Sequence, residues 1–330
     1  MPRLKKTLKM RALVNNVITL LEPYCSSHPD PKSFPPDPEQ TFLLGNRYAD
    51  YALAFGFALL FPLLRSLLRT IIYEPTGKYF MSRALPKGVK AIDSDKIRKW
   101  NESSWKLTIY IFFTTFAFLV SYKEPWFTDT RYFWLGCTHF PPCNMFVKKG
   151  VLLFYCVQTG FYLQAIHFLA FHEVRRKDWL ESMIHHVVTT FLLVYSYYVN
   201  FTRIGIMVML LHDISDIFLE GAKLARYCKQ QSVALIAFIL FFVSWVVCRL
   251  VYFPLVIIRS TLAEPMTLVG RPYGIDPMPH YAIFNGLLLV LLVLHIYWTW
   301  LILQVLILAI KTSAQNGDVR EGDVGDDKED

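Results

Sequence analysis

Five ionisable side chains lie inside two apolar stretches of this 330-residue chain. The first stretch carries the adjacent pair His185 and His186, and the second carries His212, Asp213 and Asp216. Ionisable groups inside such apolar runs are costly to bury, so they are candidates for function. A histidine beside a carboxylate favours general-base or nucleophilic catalysis, because the carboxylate orients the ring and stabilises the imidazolium. No serine or cysteine pairs convincingly with these histidines, so we expect the nucleophile to be an imidazole or a substrate amine or hydroxyl.

The elements that position these residues are predicted to be membrane helices. The chain is 54% apolar and 16% aromatic, its mean hydropathy is +0.34, and its apolar residues form long runs. This composition argues against an ordinary soluble domain and predicts an all-α polytopic membrane protein with about seven transmembrane helices. The net charge of +8 does not indicate nucleic acid, because the basic residues lie in short connections, where they set membrane topology.

Apolar runs, prolines and charges divide the chain into five parts. These are an amphipathic and then proline-rich N-terminal segment (1–41), a first transmembrane helix (42–64), a basic loop (65–103), a catalytic domain (104–311) and an acidic disordered tail (312–330). The positive-inside rule places the basic loop in the cytosol. The predicted topology therefore has a lumenal N-terminus and a cytosolic C-terminus.

The predicted catalytic domain contains six apolar runs. They cover 104–122, 150–171, 179–199, 204–221, 232–258 and 281–310. The connections 123–149, 200–203 and 259–280 are expected to be lumenal loops. Cys137 and Cys143 lie close together in the first of these loops, so they are a disulfide candidate.

The ionisable residues of the two central runs are predicted to share one depth. His185 lies about 9 Å from the cytosolic start of its helix, and Asp213 and His212 lie about 12 to 14 Å from the end of theirs. Residues spaced i, i+4 share a helix face, as His212 and Asp216 do. A polar stripe on the opposite helix consists of Ser182, His185 and Thr189. We expect the two stripes to face each other in a polar pocket within the cytosolic leaflet.

Basic residues flank this pocket at the cytosolic helix ends. They are Arg175, Arg176, Lys177, Lys223 and Arg226. Membrane topology alone explains them, but they would also lie where a phosphorylated cytosolic substrate docks. An intramembrane site implies a lipid substrate, and a phosphate-bearing partner suggests fatty acyl-CoA as co-substrate. No metal or cofactor is expected, because the six cysteines show no zinc-ligand spacing.

Other polar residues inside the apolar runs are expected to be structural. For His167, His172 and His295, packing is favoured over chemistry. Arg249 lies about 17 residues from the cytosolic end of its run, so we expect it to reach toward the lumen and not to pair with the aspartates.

Two other functions stay open from the residues alone. A di-iron lipid hydroxylase or desaturase would use histidine boxes, which His167 with His172 and the pair at 185–186 imitate, although the HxxHH pattern is absent. A non-enzymatic seven-span lipid receptor or transporter would need discontinuous helices or a gated pocket, and the sequence indicates neither.

The segment from Arg175 to Lys223 closely resembles the signature segment of ceramide synthases, the longevity-assurance branch of the TLC-domain family. The resemblance rests on the Arg-Arg-x-Asp turn, the double histidine, the Asn-x-Thr-Arg-Ile-Gly turn and the Leu-His-Asp-x-Ser-Asp-x-x-Leu-Glu run. It extends over about 97–311, and its flanking segments look most like plant-type members. The 65–103 loop is too short for the homeobox-like domain of many animal members.

This resemblance implies N-acylation of a sphingoid long-chain base by fatty acyl-CoA in the endoplasmic reticulum membrane. It implies that the last six helices form a TLC-type barrel around the polar pocket. His185 and His186 would be essential, one of them as base or acyl acceptor, and His185 is favoured because it shares the stripe with Ser182. Asp213 and Asp216 would orient the imidazole and hold the amine, with support from His212. The 259–280 loop matches a region that influences acyl-chain length in the family, and a homo- or hetero-dimer is left open.

Overall fold

The computed structural model of the protein describes residues 47–83, 93–145, 147–172 and 178–321, with side chains from Tyr48 to Ile307. Within these ranges the chain is helical and contains no strand, which confirms the all-α prediction. The predicted N-terminal segment, 1–41, lies outside the described residues, as do Arg175, Arg176 and Lys177.

The described part of the chain forms helices of very different length. They are α1 (Arg47–Leu68), α2 (Glu74–Arg83), α3 (Ser94–Ser121), α4 (Lys149–Phe171), α5 (Trp179–Val199), α6 (Thr202–Tyr227), α7 (Gln231–Trp245), α8 (Arg259–Pro265), α9 (Arg271–Tyr273) and α10 (His280–Glu321). Wider π-helical turns continue the helical path over Arg69–Tyr73, Val246–Ile258 and Met266–Gly270. Short 3₁₀ turns over Pro125–Phe127 and Thr130–Phe133 lie between α3 and α4.

Five helical stretches of the described chain are long and apolar enough to cross a membrane. They are Tyr48–Arg83, Ser94–Ser121, Lys149–Phe171, Gln231–Tyr273 and His280–Ile307. α5 and α6 fall outside this set, because the histidines of α5 and the carboxylates of α6 lower their apolar character. The structure therefore supports a polytopic membrane protein, and the count of seven spans and the closed barrel stay predictions.

The region 259–280, expected to be a loop, is helical as far as Tyr273. Prolines within this region suggested an irregular chain, since proline lacks the N–H that a helix interior uses. Here Pro265 ends α8 at the change to π-helical turns, and Pro272 lies in the first turn of α9, where no N–H is required. The prolines therefore punctuate a helical path.

Helix α6 lies at the centre of the packing. It packs along α3 on one side and α7 on the other, and it also touches α4 and α5. Helix α1 packs mainly against α4, at Gly160, where an added Cβ would come within 2.6 Å of the Ala54 carbonyl oxygen. The outer faces of α1, α7 and α10 expose large apolar side chains, including Leu63, Val243 and Val293, as expected for helices in lipid.

A tight corner between α5 and α6 fixes the relative position of these two helices. Asn200 has a left-handed backbone conformation with φ of 63° and is 2% exposed. Its amide nitrogen donates hydrogen bonds to the carbonyl oxygens of Cys143, at 2.8 Å, and Met145, at 2.6 Å. Cys143 is disulfide-bonded to Cys137, as the sequence suggested. The corner is thereby tied to the connection between α3 and α4.

Replacing Asn200 tests how much this corner contributes to stability. Asn200→Ala removes two hydrogen bonds from buried carbonyls and places a Cβ in a left-handed conformation that asparagine tolerates better, so we expect a loss of about 2–4 kcal/mol. Asn200→Gly removes the same bonds without the backbone cost and should lose less. Thermal unfolding in detergent micelles measures both; an Asn200→Ala protein that melts with the wild type would contradict this account of the corner.

Candidate active site

A polar cavity opens between α3, α4, α5, α6, α7 and α10, and the space between its lining atoms, with open solvent included, is about 1760 Å³. Its wall contains many of the residues predicted from the sequence: Ser182, His185, His186, His212, Asp216 and Lys223. Helix α5 and helix α6 contribute these side chains from facing sides, because i, i+4 spacing keeps each set on one helix face. The two predicted stripes therefore do meet.

A second cavity continues from this layer toward the α5–α6 corner, and the space between its lining atoms, with open solvent included, is about 830 Å³. Its lining is apolar and aromatic over most of its surface, with Leu192, Val208 and Phe284 among the contributors. Thr189, predicted to bind substrate in the polar pocket, lines this apolar cavity instead, because it lies one turn beyond His185 on α5. Arg226 is exposed, and it does not belong to the described residues that line the two cavities.

Three side chains line both cavities: Tyr162, His185 and His212. They mark the point at which polar surroundings change to apolar ones. His186, by contrast, lines the polar cavity but not the apolar one. Its ring lies 5.6 Å from the ring of Tyr162. The junction thus distinguishes the two adjacent histidines of α5, of which the sequence favoured His185 only by its place in the polar stripe.

Both ring nitrogens of His212 are occupied by protein contacts. Nδ1 lies 2.6 Å from the carbonyl oxygen of Val208, and Nε2 lies 2.9 Å from Nε2 of His295. A carbonyl can only accept, so Nδ1 of His212 carries the proton, and Nε2 of the neutral ring accepts from His295. His212 therefore presents its ring face to the cavities and has no nitrogen left for a substrate.

The two histidines of α5, by contrast, each have a ring nitrogen without a partner among the described residues. Nδ1 of His185 and Nδ1 of His186 are buried and have no hydrogen-bond partner among the described residues. The His185 ring stacks 6.1 Å from the ring of His212 and makes an edge contact, 5.5 Å between centroids, with Trp298. Buried polar atoms are normally satisfied, so an unsatisfied nitrogen beside a cavity favours contact with a substrate.

Arg249 pairs with Asp216, contrary to the expectation that it reaches toward the lumen. Its Nη2 lies 2.8 Å from Oδ1 of Asp216 and donates to the carbonyl oxygen of His212 at 2.6 Å. The sequence prediction counted the depth of Asp216 from a helix end at Gly221. Because α6 continues to Tyr227, Asp216 lies farther from the cytosolic end of its helix than that count gave. The long arginine side chain covers the remaining distance, and the π-helical turns around it change its direction.

Asp213 lies behind the cavity wall, not on it. It is 2% exposed, and its carboxylate accepts a hydrogen bond from the amide nitrogen of Gln158 at 3.4 Å. Of the two aspartates predicted to orient the imidazole and hold the amine, Asp216 lines the cavity and Asp213 does not. Gln158 belonged to the polar residues visible in the apolar run of α4, but nothing in the sequence connected it to this aspartate.

His295, for which packing was expected, contacts a residue that lines both cavities. It is fully buried in α10 and contacts His212 through Nε2. A lone histidine in an apolar run carries no spacing signal, so the sequence gave no way to connect it with α6. His167 and His172 agree with the expectation: they contact each other at the end of α4, and in the part of the chain that the structure describes they line neither cavity.

Potential metal ligands are not grouped in this site. In the described ranges, no three histidine, cysteine or carboxylate side chains are arranged to hold a metal ion. The imidazoles of His212 and His295 point at each other, which uses the nitrogens that a metal would need. The donor set of the di-iron alternative is therefore not assembled among these residues.

Comparison with known proteins identifies the family. Residues 99–304 match the model of the TLC domain. The chain is 40% identical to ASC1-like protein 1 of Oryza sativa subsp. japonica, with 85% of this chain and 92% of the relative covered. It is 37% identical to ceramide synthase 1 LOH3 of Arabidopsis thaliana, with 85% and 93% covered, and 37% identical to ceramide synthase LOH1 of the same plant, also with 85% and 93% covered. This polytopic helical chain, with His185 at the junction of two cavities, therefore belongs to the TLC-domain family, in the branch that contains these plant proteins.

Proposed function

We propose that this protein is a ceramide synthase, which transfers a fatty acyl group from acyl-CoA to the amine of a sphingoid long-chain base and releases CoA. Family membership and the names of its relatives support this reaction. The observation that carries the proposal is the position of His185, where a polar cavity and an apolar cavity meet. A reaction between a long-chain thioester and a long-chain amine needs a catalytic group at such a boundary.

The two cavities suit the two halves of an acyl thioester. The apolar cavity takes the hydrocarbon chain, because burial of methylene groups against Leu192, Val208 and Phe284 is favourable. The polar cavity takes the CoA portion, with Lys106 and Lys223 among the lining residues, and the basic residues 175–177 stand between α4 and α5 in the sequence. The thioester carbonyl then lies beside His185.

His185 is the residue that we assign to the chemical step. In the transfer, the amine nitrogen bonds to the acyl carbon, the carbon–sulfur bond breaks, and the amine proton passes to the imidazole and then to the CoA thiolate. If the imidazole instead accepts the acyl group first, the same nitrogen forms the acyl-imidazole and the amine displaces it. Both routes require a ring nitrogen without a protein partner. Nδ1 of His185 and Nδ1 of His186 both meet this condition among the described residues, and His185 is the one of the two that lines both cavities.

Asp216 is proposed to hold the substrate amine. Its side chain is 20% exposed toward the cavity, and Arg249 fixes one of its oxygens. A carboxylate held in this way keeps the second oxygen available for an ammonium or hydroxyl of the sphingoid base. Asp213, bonded to Gln158 behind it, supports the local polarity without reaching the substrate.

The endoplasmic reticulum membrane is the proposed location, with the N-terminus in the lumen and the C-terminus in the cytosol. The basic residues of 65–103 support a cytosolic position for that segment by the positive-inside rule. The disulfide between Cys137 and Cys143 supports a lumenal position for the connection between α3 and α4, because disulfides persist in oxidising compartments. Partners beyond acyl-CoA, the sphingoid base and membrane lipids, including a homo- or hetero-dimer, stay predictions.

Removal of the proposed catalytic imidazole tests the reaction directly. His185→Ala should lower ceramide formation from dihydrosphingosine and acyl-CoA by about 10²- to 10⁴-fold, the usual loss for a general base. The measurement is mass spectrometry of products made by purified protein in lipid nanodiscs. His167→Ala, on α4 and away from both cavities, is the matched control and should keep its activity. Wild-type rates in His185→Ala would remove this residue from the mechanism.

The Arg249–Asp216 pair is tested through its effect on one substrate. Asp216→Asn should lower kcat/KM for the sphingoid base by about 10- to 100-fold, because a charge-assisted contact to the ammonium is lost. Arg249→Met should act in the same direction, and the double variant should lose much less than the product of the two, since the residues form one unit. Steady-state kinetics with each substrate varied in turn provides the measurement. Fully multiplicative losses would show that the two residues act independently.

A further inference from the structure

His295 lies where it can influence the site without touching a substrate. It is 0% exposed, and it does not belong to the described residues that line the two cavities. Its ring is 4.8 Å from the ring of His212. Phe253, in the π-helical turns that follow α7, packs against both, with its ring 5.4 Å from His212 and 5.2 Å from His295. The direct hydrogen bond of the His295 ring to a residue that lines the cavities is the one to His212.

The direction of the hydrogen bond between the two histidines follows from their other contacts. Because Val208 fixes the proton of His212 on Nδ1, the neutral His212 ring offers a lone pair at Nε2. His295 must then carry its proton on Nε2 and donate it across the 2.9 Å contact. One histidine thus sets the tautomer that the other can adopt.

Further contacts connect His295 back to His212 by a second route. Thr299 donates to the carbonyl oxygen of His295 at 2.7 Å and accepts from Nε1 of Trp245 at 2.9 Å. The guanidinium of Arg249 lies 4.1 Å from the centroid of the Trp245 ring and donates to the carbonyl oxygen of His212. The His212 side chain is therefore held by α10 and its backbone by the π-helical turns that follow α7.

We infer that His295 is a positioning residue for the proposed acyl transfer, which acts by saturating His212 so that His185 alone of the stacked pair has a reactive nitrogen. The inference rests on the proposed function. His295 is 83 residues from His212 in sequence. Without its N–H donor, the lone pair on Nε2 of His212 would be buried and unpaired, next to the reacting atoms. It would then compete with His185 for the substrate amine or turn toward His185 and displace it.

Variants of His295 that differ only in the donor test this role. His295→Leu keeps an apolar volume but removes the N–H, whereas His295→Gln can place an amide N–H near the position of Nε2. We expect kcat to fall about 10- to 100-fold in His295→Leu, with the KM values of both substrates almost unchanged, and to recover most of its value in His295→Gln. Equal kcat in His295→Leu and the wild type, or no difference between the two variants, would overturn the inference.

A neighbouring buried residue provides the structural control. Leu294 is 8% exposed, lies on the same helix and, among the described lining residues, belongs to neither cavity. Leu294→Ala should lower the melting temperature through a cavity in the packing and leave kcat close to that of the wild type. If Leu294→Ala reproduces the kinetic loss of His295→Leu at similar stability, the effect of His295 is general packing and the inference fails.

A spectroscopic measurement decides the point independently of activity. In protein labelled with nitrogen-15 histidine, the wild type should show two coupled neutral rings, one protonated at Nδ1 and one at Nε2, and both His212→Asn and His295→Gln should remove this coupled pair. A doubly protonated pair, or rings without coupling, would overturn the inference. If the wild type transfers no acyl group at all, the proposed function fails, and this spectrum still tests the histidine pair.

Discussion

The contact of Arg249 with helix α6 determines where the other polar groups of the site can lie. A guanidinium buried among membrane helices is costly unless charges and acceptors surround it. Arg249 meets this requirement with the carboxylate of Asp216, the carbonyl oxygen of His212 and the face of Trp245. Its two acceptors are one helical turn apart on α6, so one side chain fixes both the depth and the rotation of that helix against α7.

Once α6 is held in this orientation, the histidines of the site take different parts. His212 has partners at both nitrogens, and His185 stacks on it with an unsatisfied nitrogen at the boundary of two cavities. Imidazoles of equal intrinsic basicity therefore differ in availability, because hydrogen bonding and not ring chemistry decides which nitrogen a substrate can reach. In the proposed reaction, the same reasoning assigns a supporting part to Asp213, which faces Gln158, and a substrate-facing part to Asp216.

The sequence predicted those parts of the site that depend on spacing along one helix. His185 with Ser182, and His212 with Asp216, are one turn apart, and helical periodicity alone puts each set on one face. Spacing along one helix does not predict contacts between helices that are distant in sequence. His212 contacts His295 and Asp216 pairs with Arg249, and no local pattern specifies how the helices of these partners are rotated. The Arg249 estimate also assumed a straight α-helix and an early end of α6, whereas π-helical turns surround this residue and α6 ends at Tyr227.

The corner at Asn200 has a consequence for how the protein is processed in the cell. Asn200, Phe201 and Thr202 form the acceptor tripeptide for N-linked glycosylation, in a turn whose predicted side is the lumen. In the folded protein, however, the asparagine amide is buried and donates to two backbone carbonyls, so a sugar cannot be attached without opening the corner. A glycan at this position would therefore mark chains that met the glycosylation machinery before α5 and α6 had closed, and its absence would record that the hairpin formed first.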